Sequence, residues 1–383
     1  MKRKICFVSG TRADYGILTP VMRAVRDSNS LELCLVVTGM HLMKEFGWTI
    51  DEIAREGFEI TEKVDISYQK DSGLEMAISV GKAVGGFAEA FGKIKPQIVV
   101  VLGDRGEMLA AAIAANYLNI PVAHIHGGEV SGHVDGLLRH AITKLSHLHF
   151  PATQEAKQRI ISLGEEPWRV KVSGAPALDR ILHEKLPPKA TVFKKYNLKT
   201  NEKTILLVQH PVLVEAKSAQ SQIKETLEAV KDVGLQTVII YPNADAGGRE
   251  MIKEIEKYRG LKNFHIFKNI PQKDYLAILK YVGLLVGNSS SGIIEAPAFA
   301  VPVINIGSRQ WGRQRACNVI QATYKKDEIV KAIRKILNPN SEFKIALSKC
   351  QSPYGRGDAG EIIEKVLSSI PIDQRLLNKK ITY

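Results

Sequence analysis

No stretch of this sequence runs apolar and uncharged long enough to form a membrane-crossing helix, so a helical membrane partner is not expected. Cysteine is scarce. Cys6, Cys34, Cys317 and Cys350 never fall at zinc-finger or CxxC spacing, which excludes a cysteine-built zinc site and a dithiol redox motif. Cys6 and Cys34 sit inside apolar strand-like runs, and reduced, buried thiols are expected. The chain also lacks a Walker A sequence, a GxGxxG after its first strand and an HExxH pair. These absences argue against a P-loop nucleotidase, a conventional dinucleotide enzyme and a zincin. Low-complexity segments and a strong internal repeat are absent too.

Acidic residues are in the minority, 40 against 53 lysines and arginines, for a net charge of +13. The lysines are spread along helical stretches such as Lys331–Lys335 and at the tail near Lys379. A nucleic-acid binder would cluster its charge with aromatics or a known motif, so no nucleic-acid partner is expected. A solvated basic surface accounts for the surplus, and a basic cleft for an anionic small molecule is compatible with it. The start, MKRKICFVSG, has the charge of a signal peptide, but its apolar run ends at once in GTRADYG. That reads as strand and loop, and the expected location is the cytoplasm.

What the chain does have is alternation. Strand-like apolar runs at Ile5–Val8, Leu33–Val37, Ile98–Leu102, Val122–Ile125 and Leu148–Phe150 are separated by helical patterns such as Ile17–Arg26, Leu74–Ile94 and Met108–Leu118. After a polar, proline-bearing stretch near 183–203, the alternation restarts at Thr204–Val208, Thr237–Tyr241, Phe264–Phe267, Leu284–Gly287 and Val303–Ile306. Uninterrupted apolar strands with helices between them predict parallel sheets covered on both faces. The expected fold class is α/β, with two doubly wound Rossmann-like halves facing one cleft. The expected domains are 1–182, 183–358 and a C-terminal helix and tail at 359–383.

Polar groups recur just after these strands, where ligands of doubly wound sheets bind. The runs end in SGTRADYG, TGMH, LGDR and HIHGGE in the first half, and in QHP, YPNADAGG and GNSSSG in the second. GNSSSG predicts a helix N-terminus open to phosphate, with Ser289 and Ser290 adding hydroxyls and Glu295 one turn in. Helix capping is the plainer explanation of the same residues. Arg12 and Arg309 follow strands in opposite halves, and arginine suits bidentate phosphate recognition.

Six of the ten histidines lie between His124 and His149. Their spacing does not converge on a metal, and none is expected. Asp135 and Arg139 stand four residues apart on a helical stretch, which an ordinary ion pair would explain.

Taken together and in order, GTRADYG, TGMHL, LGDR, HIHGGEVSG, DGLLRHAITKLSH, QHP, YPNADAG, GNSSSGIIE and INIGSRQWGR resemble the hydrolysing UDP-N-acetylglucosamine 2-epimerases of sialic-acid biosynthesis. The resemblance runs from about Lys4 to about Arg315. It implies a GT-B architecture, a homodimer, a UDP-sugar substrate and no cofactor. It also implies a reaction, elimination of UDP to a glycal followed by hydration to N-acetylmannosamine. The same chemistry on UDP-2,4-diacetamido-2,4,6-trideoxyglucose, of the legionaminic-acid route, and the non-hydrolysing epimerase are the alternatives.

By the resemblance, the catalytic set is Asp104, His126, Glu129, Asp135 and His210. His126 stands where the family often carries a carboxylate, which leaves open whether His126 or Glu129 takes that part. The implied substrate-binding set is Arg12, His41, Arg105, Asn243, Ser289, Ser290, Glu295 and Arg309.

Overall fold

The computed structural model describes residues 2–44, 48–66, 72–131, 133–338, 343, 347 and 350–382. Two six-stranded sheets organise the chain. The first contains β1 (Arg3–Ser9), β2 (Leu31–Thr38), β3 (Glu62–Val64), β4 (Ile98–Leu102), β5 (Val122–Ile125) and β6 (Leu148–Phe150). The second contains β7 (Thr204–Val208), β8 (Gln236–Ile240), β9 (Phe264–Phe267), β10 (Leu284–Gly287), β11 (Val303–Ile306) and β12 (Val319–Ala322). Their strand orders are β3-β2-β1-β4-β5-β6 and β12-β11-β10-β7-β8-β9, so each half carries the same doubly wound topology. Every pairing is parallel.

Side-chain alternation sorts each strand onto two cores. In β1, Ile5 and Phe7 enter one apolar cluster while Cys6 and Val8 enter the other. In β7, Leu206 and Val208 face one side and Ile205 and Leu207 the other. Both faces are buried, which is why these strands read as unbroken apolar runs. Edge strands β3 (EKV) and β12 (VIQA) escaped the sequence reading, because short edge strands need only part of their length buried.

The helix Ala359–Ser369 packs Ile363 and Leu367 into a core of the first sheet. Arg169 anchors the tail beyond it by donating to the Leu376 carbonyl at 2.8 Å. Among the described residues, no helix is long and apolar enough to cross a membrane.

Cys6 and Cys34 lie side by side on β1 and β2 as buried free thiols. The other two cysteines differ. Exposed Cys317 pairs with Cys350 as a disulfide, with 5.6 Å between their Cα atoms. Their separation of 33 residues concealed this approach.

Candidate active site

The order of each sheet reverses between β1 and β4 and between β7 and β10, and at these switch points the loops splay apart. Two adjoining cavities of about 610 and about 500 Å³ lie there, sharing Ile17, Ser290 and Ile294. Together they form one cleft.

The larger cavity is lined by Arg12, His210, Gln272, Tyr275, Ser289, Ser290 and Glu295, among others. GTRADYG builds its first wall. Thr11 caps the helix Arg12–Asp27 and Asp14 bonds back to the Thr11 amide at 2.8 Å, a capping box that leaves Arg12 as the first helical residue. Arg12 donates to the Ile270 carbonyl of the other half and lies 5.7 Å from the Tyr275 ring centre.

GNSSSG follows β10, but the helix it opens is only Ser291–Ile294 and passes into a 3₁₀ turn at Ala296–Phe299, where Pro297 offers no amide proton. Glu295 accepts from the Ser291 hydroxyl at 2.5 Å and from Gln272 at 3.3 Å. Burial raises its carboxyl pKa, against the pull of Ser291 and Arg12.

His210 is fixed on three sides. Its backbone exchanges hydrogen bonds with the Asn288 amide at 2.7 and 2.9 Å, and the Asn243 backbone N–H donates to its Nδ1 at 3.1 Å. An amide N–H can only donate, so Nδ1 is the acceptor and the neutral ring carries its proton on Nε2. Burial, then Arg309, Arg105 and Arg12, push its pKa well below the usual histidine range, so the ring is neutral at pH 7. It therefore offers the cavity a hydrogen-bond donor.

The smaller cavity is lined by Asp104, His126, Asp135, Arg139, Arg309 and Arg313, with others. His126 takes a left-handed backbone with φ 61°, uncommon for a residue other than glycine. Its N–H donates to the Phe150 carbonyl at 3.1 Å and its carbonyl accepts from Arg139 at 2.8 Å, which hold it there. Its Nδ1 meets a Glu129 oxygen at 2.5 Å, and Nε2 is buried without a partner among the described residues.

The turn behind it needs Gly128, at φ 76°, where a Cβ would stand 2.3 Å from the Ala156 carbonyl oxygen. Gly128→Ala is expected to cost roughly 2–4 kcal/mol of stability, combining backbone strain with a clash. Urea denaturation checks this, and an unchanged midpoint would contradict it.

Asp104 pairs with Arg139. The ion pair that the sequence spacing suggested for Asp135 and Arg139 is replaced by this one. Asp135 instead has the Arg309 guanidinium 3.8 Å away. Burial and the neighbouring Asp104 raise its carboxyl pKa to about 6, despite Arg309. For Glu129, burial pushes upward, but Arg313 and then His126 hold the carboxyl well below the usual range.

The cleft gathers most of the residues expected from sequence. Arg105 stands at its edge, bonding Glu107 at 2.6 Å and reaching Asp245 of the second half at 3.4 Å. Asn243 supports His210 through its backbone, and its side chain donates to Asp245 at 2.6 Å. His41 is not in the cleft. It is fully buried, with its two ring nitrogens meeting Ser9 at 2.9 Å and Thr49 at 2.7 Å, and burial lowers its pKa to about 3. His124 is likewise internal, between the Gly103 carbonyl and Thr143. Arg313, Gln272 and Tyr275 were not singled out by sequence, and Arg139 was read there only as a helix partner for Asp135. No cluster of three or more His, Cys, Asp or Glu suited to a metal occurs among the described residues.

The profile of the UDP-N-acetylglucosamine 2-epimerase family matches residues 23–368. A UDP-N,N'-diacetylbacillosamine 2-epimerase (hydrolyzing) of Legionella pneumophila is 40% identical over 379 residues, 99% of this chain and 99% of the relative. A UDP-N-acetylglucosamine 2-epimerase of Neisseria meningitidis serogroup B is 36% identical over 335 residues, 88% of this chain and 87% of the relative. Among solved structures, a UDP-GlcNAc 2-epimerase from Neisseria meningitidis bound to UDP-GlcNAc superposes with a TM-score of 0.78 at 19% identity, covering 95% of this chain and 99% of its own. That likeness concerns the fold, two Rossmann-like halves in the GT-B arrangement.

Proposed function

The chain belongs to the UDP-N-acetylglucosamine 2-epimerase family, and from that premise we propose that it is a hydrolysing 2-epimerase of a UDP-linked 2-acetamido sugar. The observation that carries this reading is the pairing of two unlike cavities in one cleft. One offers Arg12, a donor on His210, two serine hydroxyls and Glu295, suited to a uridine diphosphate. The other offers Asp104, Asp135 and the free nitrogen of His126, suited to proton transfer on a sugar ring.

In the proposed reaction a base removes the proton from C2, the bond from C1 to the UDP oxygen breaks, and a glycal forms. Water then adds, with hydroxyl at C1 and a proton at C2 on the opposite face. UDP and a free sugar of inverted C2 configuration leave. Asp135 is the proposed base. It lacks the close cationic partner that engages Asp104, and a carboxyl titrating near 6 is a stronger base than usual while still ionised at neutral pH. Asp104, with Arg139, and His126, with Glu129, are assigned to proton transfer and sugar positioning. His210 and Arg309 are assigned to the charge that develops on the departing phosphate.

Two sugars compete as substrate, UDP-N-acetylglucosamine and UDP-2,4-diacetamido-2,4,6-trideoxyglucose. A relative 40% identical over 99% of this chain is named for the second, which favours it here. The test is a kinetic comparison of both with product identification. Release of UDP and a free manno-configured sugar is expected from the preferred substrate, with the higher kcat/KM for the diacetamido sugar. A UDP-linked epimer with no free UDP would overturn the hydrolytic reading.

A further inference from the structure

Arg313 enters the first half's acid–base wall from the second half. It is buried, donates to Gln310 at 3.0 Å, and places its other terminal nitrogen on one oxygen of Glu129. The second oxygen of Glu129 meets His126 Nδ1 at 2.5 Å. These three groups form a chain across the cleft. It ends at His126, which lines the sugar-side cavity and whose Nε2 is buried without a partner among the described residues. A buried polar atom without a partner is costly, and a bound substrate would supply one.

The loop that carries Arg313 is tied to the place where the chain passes between the halves. Tyr354 is fully buried and donates to the Gln314 carbonyl at 2.6 Å, while its own carbonyl accepts from the Ala175 amide at 2.7 Å. Beside it, Gly355 crosses Gly174 so closely that a Cβ on Gly355 would lie 2.8 Å from the Gly174 Cα. Both glycines have left-handed φ, 109° and 79°. Two connecting segments thus touch backbone to backbone.

We propose that Arg313 is a positioning residue: its contact with Glu129 sets the His126 ring for proton transfer, so the acid–base wall is completed by the nucleotide-bearing half. This rests on the functional reading above and adds a residue of the second half to the chemistry. A carboxylate fixed beside Nδ1 orients the imidazole and makes Nδ1 the donor, so in the neutral ring Nε2 carries the lone pair. The charged groups facing Glu129 are Arg313, His126 and Arg139, with the Tyr354 hydroxyl beside Arg313. Without Arg313, the effect of burial on Glu129 prevails more fully and the carboxyl takes up its proton at a higher pH. The orienting charge is then lost on the acid side.

The test is Arg313→Gln in the full-length protein, with Arg313→Lys beside it. Arg313→Gln is expected to lower kcat on the order of 100-fold, the scale of a misplaced reacting group. The Kd for UDP by calorimetry should stay within about threefold, because Arg313 belongs to the sugar-side wall. Arg313→Lys should recover part of the rate. Equal losses in kcat and UDP affinity would overturn the proposal.

A second readout does not depend on turnover. In ¹⁵N-histidine spectra of the UDP complex, the His126 signal, assigned by its loss in His126→Asn, should report the Nδ1-protonated tautomer and become mixed in Arg313→Gln. An unchanged tautomer in Arg313→Gln would overturn the proposal. A tautomer shift in a protein that processes no UDP-sugar would support the relay and refute the functional reading.

Discussion

Asp135→Asn is expected to lower kcat by roughly 1,000-fold, within the range assigned to a positioned general base. The substitution keeps the shape of the side chain and removes its ability to accept a proton. Asp135 lies on the helix His133–Leu145, on the wall of the sugar-side cavity, with Arg309 3.8 Å away and Asp104 as its like-charged neighbour. Burial and that neighbour raise its pKa to about 6. A base works only when deprotonated. The wild-type rate should therefore fall as pH drops through about 6, and Asp135→Asn should lose that dependence along with the rate. Initial rates of UDP release between pH 5 and 8 check both. Full turnover in Asp135→Asn would remove Asp135 from the chemistry.

His210→Gln should be the next most damaging change, lowering kcat by about 100- to 1,000-fold, as loss of a preorganised donor to a developing oxyanion does. The tautomer of the ring is what matters. The Asn243 amide occupies Nδ1, and burial with Arg309, Arg105 and Arg12 nearby keeps the ring neutral. Its proton on Nε2 is then available to a departing phosphate oxygen at any pH near neutrality. Glutamine cannot reproduce both the acceptor for Asn243 and a donor at the same point. Because a leaving group gains charge mainly in the transition state, kcat should suffer more than KM. A rise in KM with unchanged kcat would instead make His210 a simple binding group.

The two variants separate the halves of the cleft. Asp135 serves the carbon that loses its proton, and His210 serves the oxygen that leaves. Elimination needs both ends served at once, and the parallel sheets do this by aiming the ends of β4, β5, β7 and β10 into a common space.

Much of this was legible in the sequence because fully buried parallel strands leave an unmistakable apolar run and end in polar loops. The ends of β1 and β10 gave Arg12, Ser289 and Ser290 by that rule, while Asp104, His126 and His210, just after β4, β5 and β7, were singled out by the family resemblance. The resemblance also pointed to His41, which lies outside the cleft. A strand end fixes where a residue sits along the sheet, while its side chain can turn inward, as His41 does toward Ser9 and Thr49. Arg139 looked like a helix partner for Asp135 because spacing ignores a competing carboxylate from another strand end, Asp104. Gln272 and Tyr275 come from the helix Gln272–Tyr281, brought to the cleft from outside the strand ends. Arg313 had no local signal, because its partner Glu129 lies 184 residues away. The edge strands β3 and β12 were missed for want of apolar length.

The most direct test of the central claim, that this cleft performs elimination and then hydration, is an NMR time course in heavy water with the preferred UDP-sugar. The account predicts free UDP appearing in step with a manno-configured sugar that carries one deuterium at C2. Release of UDP with the original C2 proton retained, or a UDP-linked epimer without free UDP, would contradict it.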